Sequence, residues 1–180
     1  MKSILFVCMG NICRSPVVEA VARTEFARVG LDVRVASAGT QDYHVGQQAD
    51  RRAIASAAAH GYDVSSHRAA QVDAATLHEF DAVLVMDRVN LRDIAPFCRG
   101  IQCVNPALFL PFAGLSAPEE VPDPYYGGDR DFERVIELAR EGVQALIARG
   151  GMPHNGRGET PHNERGAAPH NATKPKGRTA

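Results

Sequence analysis

The chain has 180 residues, of which 44% are hydrophobic, and its formal net charge is −1. This length is sufficient for one domain with a buried core, and the small net charge provides no overall field that would attract nucleic acid or a membrane surface. No apolar run approaches the roughly 20 residues that a membrane-spanning helix requires, and the apolar run at the N-terminus is too short for a signal peptide. Four cysteines in such a chain favour reduced thiols over a disulfide framework. We therefore expect a cytoplasmic protein with neither nucleic acid nor membrane as a partner.

The hydrophobic pattern alternates between strands and helices along residues 1–149, which we predict to be one domain. The apolar or alternating runs that predict strands cover residues 4–7, 33–36, 82–86 and 101–104. The segments with helical spacing cover residues 16–29, 49–60, 74–80, 88–97 and 129–149. Residues 105–128 are rich in proline and are predicted to be a long loop. Such alternation predicts an α/β fold with a four-stranded parallel sheet and helices on both faces.

The first helix carries terminal signals at both ends. Ser15 stands where an N-cap belongs, Pro16 suits the first helical turn, and Gly30 follows the last helical residue. The sequence therefore predicts Ser15 as the helix cap.

From residue 150 the composition changes. Pro-His-Asn recurs at 153–155, 161–163 and 169–171, a period of eight, and large apolar side chains are almost absent. Such a segment cannot bury enough surface to offset the entropy of ordering. Residues 150–180 are therefore predicted to be a disordered repeat tail. The histidines of this tail could bind a metal, but a solvated tail without a metal is the favoured interpretation.

Residues 8–15 read Cys-Met-Gly-Asn-Ile-Cys-Arg-Ser and lie between the first predicted strand and the first predicted helix. A loop in this position can direct backbone N–H groups at an oxyanion, next to the N-terminus of a helix. Arg14 adds a planar guanidinium that can grip two phosphate oxygens. The same positive field favours the thiolate form of Cys8, which makes this sulfur a candidate nucleophile.

This octet resembles the active-site loop of the low-molecular-weight protein tyrosine phosphatases. Other segments resemble landmarks of that family in the same order, namely residues 37–40, 44–46, 67–69, 86–91 and 123–127. The resemblance implies flavodoxin-like layering of the sheet and helices. It also implies hydrolysis of phosphotyrosine through a phosphocysteine intermediate, without a metal or other cofactor.

The resemblance assigns the catalytic roles to three residues. Cys8 would attack phosphorus, and Arg14 would orient the phosphate and stabilise charge on its equatorial oxygens. Asp123, in an Asp-Pro-Tyr-Tyr segment, would protonate the leaving group and then activate water.

The remaining candidate residues surround the predicted phosphate and the ring of the substrate. The resemblance implies that Asn11 holds the loop by a hydrogen bond to the backbone or to His67, which makes His67 a supporting residue. Tyr43 is predicted to form one wall of the entrance, opposite a wall formed by Tyr125 and Tyr126. The candidate substrate-binding residues are Met9, Gly10, Asn11, Ile12, Cys13, Ser15, Tyr43, Tyr125 and Tyr126.

Two of these residues have a second predicted role. Ser15 could donate a hydrogen bond to the Cys8 thiolate and so ease its departure from phosphorus. Cys13 could trap oxidised Cys8 as a disulfide and protect it from irreversible oxidation.

Three other functions share parts of this pattern. Thioredoxin-linked arsenate reductases have the same loop and need two further cysteines, but the spacing of Cys98 and Cys103 does not match them well. Protein-arginine phosphatases typically have threonine where Ile12 stands. A phosphopeptide-binding module without turnover is disfavoured because all three predicted catalytic residues are present. By family analogy, the expected partner is a phosphotyrosine-containing protein such as a bacterial tyrosine kinase.

Overall fold

The structure is a computed structural model, and it describes residues 1–98 and 105–149. The strands within these residues are β1 (Ser3–Cys8), β2 (Arg34–Gly39), β3 (Ala82–Val85) and β4 (Ala107–Leu108). The helices are α1 (Arg14–Arg28), α2 (Arg51–Ala59), α3 (Ala74–His78), α4 (Arg88–Ile94), α5 (Phe109–Ala113) and α6 (Asp129–Ala148). A 3₁₀ turn, Ala95–Cys98, extends α4.

The four strands form one parallel sheet in the order β2-β1-β3-β4, which confirms the predicted sheet. The chain leaves β1 towards β2 on one side and later returns to β3 on the other. In open α/β sheets such a switch of direction leaves a crevice beyond the carboxyl ends of the strands. Cys8 is the last residue of β1 and therefore lies at this crevice.

Both faces of the sheet are buried beneath helices, as predicted. Ile4 and Phe6 of β1 pack in the cluster that includes α1 and α6, whereas Leu5 and Val7 pack in the cluster that includes residues of α3 and α4. A strand that is covered on both sides must be apolar at every position. This burial explains the continuous apolar run that precedes Cys8.

The region between β3 and α6 differs from the prediction. The predicted strand at 101–104 lies outside the described residues, and the fourth strand that the structure contains is β4. Residues 105–128 are not one loop, because β4 and α5 lie within them. The prolines of this region predicted a loop, but Pro111 lies in the first turn of α5, where its missing N–H costs no helical hydrogen bond.

The start of α1 also differs from the prediction. The helix begins at Arg14, its N-cap residue is Cys13, and no side chain caps it. The prediction that Ser15 caps the helix is therefore wrong, because its hydroxyl is buried and turned towards Cys8. Pro16 does lie in the first turn, and Gly30 follows the helix with a φ of +72°.

The predicted helices at 49–60, 74–80 and 88–97 are present but shorter, and the one at 129–149 matches α6 almost fully. No helix among the described residues is both long and apolar enough to span a membrane. The predicted tail at 150–180 lies outside the described residues.

Candidate active site

The loop that joins β1 to α1 is held by hydrogen bonds to its carbonyl groups. The carbonyl oxygens of Cys8, Met9, Asn11 and Ile12 accept from neighbouring segments at distances between 2.8 and 2.9 Å. Their donors are the backbone N–H groups of Thr40, Gln41 and Asp50 and the ring of His67. The surrounding segments therefore hold nearly every carbonyl group of this loop pointing outwards.

The planar trans peptide then dictates where the N–H groups point. In each peptide unit the N–H is antiparallel to the preceding C=O. Because these carbonyls point outwards to the scaffold, the N–H groups that follow them face the inside of the loop. Together with the N-terminus of α1, they form a concave site for an anion, as predicted from the sequence.

Cys8 lies at the base of this loop and is 3% exposed. Its Sγ lies 3.0 Å from Ser15 Oγ. Asn11 Nδ2 donates to the same Ser15 oxygen at 2.8 Å, so the hydroxyl proton of Ser15 can be directed at the sulfur. The same hydroxyl also lies 3.3 Å from the Ala38 carbonyl oxygen, which is a second acceptor for its proton. Donation from Ser15 to a Cys8 thiolate stays a prediction.

Asn11 holds the loop through its side chain and its backbone. It has a positive φ of 55°, a conformation that asparagine tolerates better than most residues. Its Nδ2 also donates to Ser37 at 2.9 Å, and its Oδ1 accepts from the N–H of Ala70 at 3.0 Å. The predicted contact with His67 involves the Asn11 carbonyl oxygen, which accepts from the ring Nε2 at 2.8 Å.

Arg14 is 2% exposed and lies between two carboxylates. Its Nη1 pairs with Asp87, and its Nη2 donates to Asp123 Oδ2 at 2.7 Å. Burial opposes the positive charge, but the neighbouring Cys8, Asp123 and Asp87 outweigh it and raise the pKa of the guanidinium above its ordinary value. Arg14 is therefore a fixed cation within the site.

A cleft of about 440 Å³ opens above Cys8. Asp123 lies on its wall with its side chain 42% exposed, and the N–H of Tyr125 donates to Asp123 Oδ1 at 3.1 Å. Tyr126 is 98% exposed and meets the Tyr125 ring edge-on, with 5.0 Å between ring centroids. Tyr43 also lines the cleft and is 68% exposed. The cleft thus combines a buried sulfur and guanidinium at its base with aromatic rings at its entrance.

The structure brings together nearly all the residues singled out in the sequence. Those that line the cleft are Cys8, Met9, Gly10, Ile12, Cys13, Arg14, Tyr43, Asp123, Tyr125 and Tyr126. Asn11, Ser15 and His67 do not line the cleft; their side chains form hydrogen bonds that hold the loop or contact the sulfur.

Three residues with a place in the site were given no role in the sequence analysis, although His44 and Asp87 lie in two of the family landmark segments. His44 lines the cleft and packs against the Tyr125 ring with 6.5 Å between centroids. Asp87, which holds Arg14, follows the end of β3, and a polar residue just beyond a strand next to β1 was a usable signal. Arg52 contacts the segment after Asp123, and no pattern in the sequence indicates that pairing.

Cys13 is unlike Cys8 in its surroundings. It is 4% exposed, and burial, followed by the nearby Asp50 carboxylate, raises the pKa of its thiol well above the ordinary range. Cys13 is therefore a protonated thiol at neutral pH.

The fold and the loop define a flavodoxin-like α/β protein with an anion-binding loop around a cysteine. The family model described as low molecular weight phosphotyrosine protein phosphatase matches residues 3–151. The low molecular weight phosphotyrosine protein phosphatase of Sus scrofa is 38% identical over 157 residues, covering 82% of this chain and 95% of the pig protein. The chain belongs to the low molecular weight phosphotyrosine protein phosphatase family.

Solved structures of related proteins have the same fold. The protein tyrosine phosphatase of Entamoeba histolytica, with Hepes in its active site, matches with a TM-score of 0.76 and 36% identity, covering 83% of this chain and 96% of that one. The Drosophila arginine phosphatase matches with a TM-score of 0.74 and 28% identity, covering 83% and 97%. Since both proteins share the fold, similarity of structure alone does not choose between their substrates.

Proposed function

We propose that this protein hydrolyses phosphotyrosine in proteins by two successive displacements at phosphorus. The proposal is supported mainly by the hydrogen bonds that hold the loop carbonyls pointing away from Cys8. The backbone N–H groups of the loop therefore point towards Cys8 and lie beside Arg14. This ring of N–H groups suits the phosphate of a monoester. Membership of the family supports the same reaction.

In the first step, the Cys8 thiolate attacks phosphorus and forms a P–S bond while the bond between phosphorus and the tyrosine oxygen breaks. Arg14 and the loop N–H groups stabilise the charge on the equatorial oxygens. Asp123 delivers its proton to the departing phenolate oxygen. The products of this step are a free tyrosine side chain and a phosphocysteine.

In the second step, a water molecule attacks phosphorus and transfers a proton to the Asp123 carboxylate. The P–S bond breaks, inorganic phosphate leaves and the thiolate is restored. The hydrogen bond between Ser15 Oγ and Cys8 Sγ, 3.0 Å long, lowers the energy of the departing sulfur anion. Both steps use only side chains of this protein and water.

The entrance of the cleft supports an aromatic phosphoester as the substrate. Tyr43, Tyr125 and Tyr126 can flank a substrate ring while its phosphate reaches Cys8. Phosphoserine has a shorter arm and would hold its phosphate away from the sulfur. A phosphotyrosine-containing protein is therefore the proposed partner, with a bacterial tyrosine kinase as the candidate; the need for a reduced Cys8 supports action in the cytoplasm.

Turnover of 4-nitrophenyl phosphate by the wild-type protein and by Cys8→Ser tests the nucleophile. We expect release of 4-nitrophenol by the wild type and none by Cys8→Ser, because a serine hydroxyl is not ionised in this site. Equal turnover by both proteins would refute the assignment. Vanadate should inhibit the wild type, since it occupies an oxyanion site.

A matched set of phosphopeptides tests the substrate class. We expect kcat/KM to be highest for phosphotyrosine and much lower for phosphoserine and phosphoarginine in the same peptide sequence. A preference for phosphoarginine would instead place the protein with the arginine phosphatases. Arsenate-dependent oxidation of thioredoxin, measured in parallel, would indicate a reductase.

A further inference from the structure

Arg52 is anchored at the start of α2, next to the phosphate-binding loop. Asp50, the N-cap of this helix, accepts from the Arg52 N–H at 2.8 Å, from its Nε at 3.0 Å and from its Nη2 at 2.8 Å. The N–H of Asp50 in turn donates to the carbonyl oxygen of Ile12 at 2.8 Å. The guanidinium of Arg52 is therefore tied, through one residue, to the loop that carries Cys8.

The other side of the same guanidinium contacts the segment that follows Asp123. Its Nη2 donates to the carbonyl oxygen of Tyr125 at 3.0 Å, and its Nη1 donates to that of Gly127 at 3.2 Å. The guanidinium also lies over the Phe132 ring, with 4.6 Å from its central carbon to the ring centroid. Arg52 thus has a defined orientation although its side chain is 38% exposed.

Tyr125 connects this contact to Asp123. Its N–H donates to Asp123 Oδ1 at 3.1 Å, and its carbonyl oxygen accepts from Arg52. A shift of the Tyr125 backbone would therefore move the hydrogen bond that orients the carboxyl group. The position of Asp123 relative to Cys8 depends on the backbone that Arg52 holds.

The geometry points to Arg52 as a positioning residue that fixes the separation between the Asp123 segment and the Cys8 loop. Arg52 does not line the catalytic cleft. It contacts the Asp123 segment through the Tyr125 and Gly127 carbonyls, and its guanidinium lies 5.9 Å from the Tyr125 ring centroid. The inference rests on the proposed function, because it requires Asp123 to be the proton donor. The competing explanation is an ion pair with Asp50 that only stabilises α2.

The two explanations differ in how the rate depends on the leaving group. A displaced proton donor slows the departure of a poor leaving group much more than that of a good one. We expect Arg52→Ala to lower kcat/KM for phenyl phosphate by about 10- to 100-fold and that for 4-nitrophenyl phosphate by less than about 3-fold. Arg52→Lys, which can reach only one carbonyl, should fall between the wild type and Arg52→Ala. Arg51→Ala, at the exposed preceding position, is the matched control and should leave both values within about 2-fold.

A double-mutant cycle with Asp123→Ala identifies the route of the effect. If Arg52 acts through Asp123, adding Arg52→Ala to Asp123→Ala should cause little further loss with phenyl phosphate. Multiplied losses would overturn the inference, as would equal losses on both substrates or no loss relative to Arg51→Ala. If Arg52→Ala does not fold, Arg52→Lys takes its place in the cycle. A wild-type protein without turnover would overturn the proposed function and this inference together, whereas failure confined to the Arg52 variants would overturn only the inference.

Discussion

Two cysteines in the same short loop have opposite chemical surroundings. Cys8 Sγ lies 3.0 Å from the Ser15 hydroxyl oxygen, in a cleft whose base also holds the buried guanidinium of Arg14. Cys13 is buried near the Asp50 carboxylate, and burial together with this charge raises the pKa of its thiol. The difference supports Cys8 rather than Cys13 as the proposed nucleophile.

Mild peroxide treatment tests the predicted protective role of Cys13. Peroxide converts the Cys8 thiolate to a sulfenic acid; attack by Cys13 sulfur then releases water and forms a disulfide. Because the pKa of Cys13 is raised, we expect this second step to become faster as the pH rises. Mass spectrometry should detect a Cys8–Cys13 crosslink, and thiol reduction should restore activity. The Cys13→Ser variant should lose activity irreversibly, and recovery equal to the wild type would contradict the role.

Gly39 shows how closely β2 approaches the phosphate-binding loop. A Cβ at this position would lie 2.6 Å from the Met9 carbonyl oxygen and 3.2 Å from the Asn11 nitrogen, both backbone atoms. We expect Gly39→Ala to lower the free energy of unfolding by about 1–3 kcal/mol and kcat/KM by at least about 10-fold, because the loop must shift. Urea unfolding and turnover of 4-nitrophenyl phosphate measure the two effects.

Gly128→Ala is the control for that substitution. A Cβ at Gly128 would meet nothing within 4 Å, and its φ of −104° is accessible to any residue. Unaltered activity in Gly39→Ala would show that the loop tolerates displacement.

At the level of secondary structure, the start of α2 connects the two parts of the site. Asp50 caps the helix and pairs with Arg52, and its N–H holds the Ile12 carbonyl. Hydrogen bonds from the Arg52 side chain lower the pKa of Asp50 below its usual value. A carboxyl group whose pKa is lower in the folded state stabilises the fold above its unfolded pKa, and this contribution is lost as the pH falls through the folded value.

Urea unfolding of Asp50→Asn at several pH values tests this contribution. Asparagine keeps a capping oxygen but removes the charge, so the variant should be less stable than the wild type at pH 7. The difference should shrink once the pH falls below about 3.9, where the unfolded carboxyl group is protonated, and vanish below the folded pKa. Asp50→Ala also loses the cap and should be less stable by about a further 1 kcal/mol. A difference that is independent of pH would contradict the charge effect.

At the level of the whole molecule, the strand order determines which loops meet. Because β1 is central, its carboxyl end receives the loop of residues 9–13, and β3 on one side places Asp87 against Arg14. The chain returns from β4 through α5 before it reaches Asp123 and α6. Residues more than 100 positions apart in the sequence are thereby brought into contact, as with Arg14 and Asp123.

Truncation after residue 149 tests the predicted division into a phosphatase domain and a tail. The residues that line the cleft fall between Cys8 and Tyr126, and the family model matches residues 3–151. We expect the truncated protein to keep its melting temperature within about 2 °C and its kcat/KM within about 2-fold of the full chain, since the tail sequence has too little apolar surface to add a core. A truncated chain that unfolds or loses activity would show that residues 150–180 belong to the domain.

The local pattern predicted most of the elements because each has a strong periodic or terminal signal. The apolar run before Cys8 predicted β1, and the spacing of apolar residues in 129–149 predicted α6. The prediction was wrong for Ser15 and for 105–128. In both cases a residue type with a common local meaning is used differently. Ser15 is buried and faces Cys8 instead of capping the helix, whereas Pro111 is exposed and lies in the first turn of α5.

By itself, the sequence determined the family and the parallel α/β fold, since these depend on local patterns or on a recognisable motif, and it led to the proposed roles of Cys8, Arg14 and Asp123. Only the tertiary structure decided that Asp87 and Asp123 hold Arg14, that Ser15 contacts the sulfur and does not cap α1, and that Arg52 links two loops. These contacts join segments far apart in the chain or depend on the direction of one side chain. Local periodicity specifies neither the contacts between distant segments nor the direction of a single side chain, because these follow from the packing of the whole sheet and its helices.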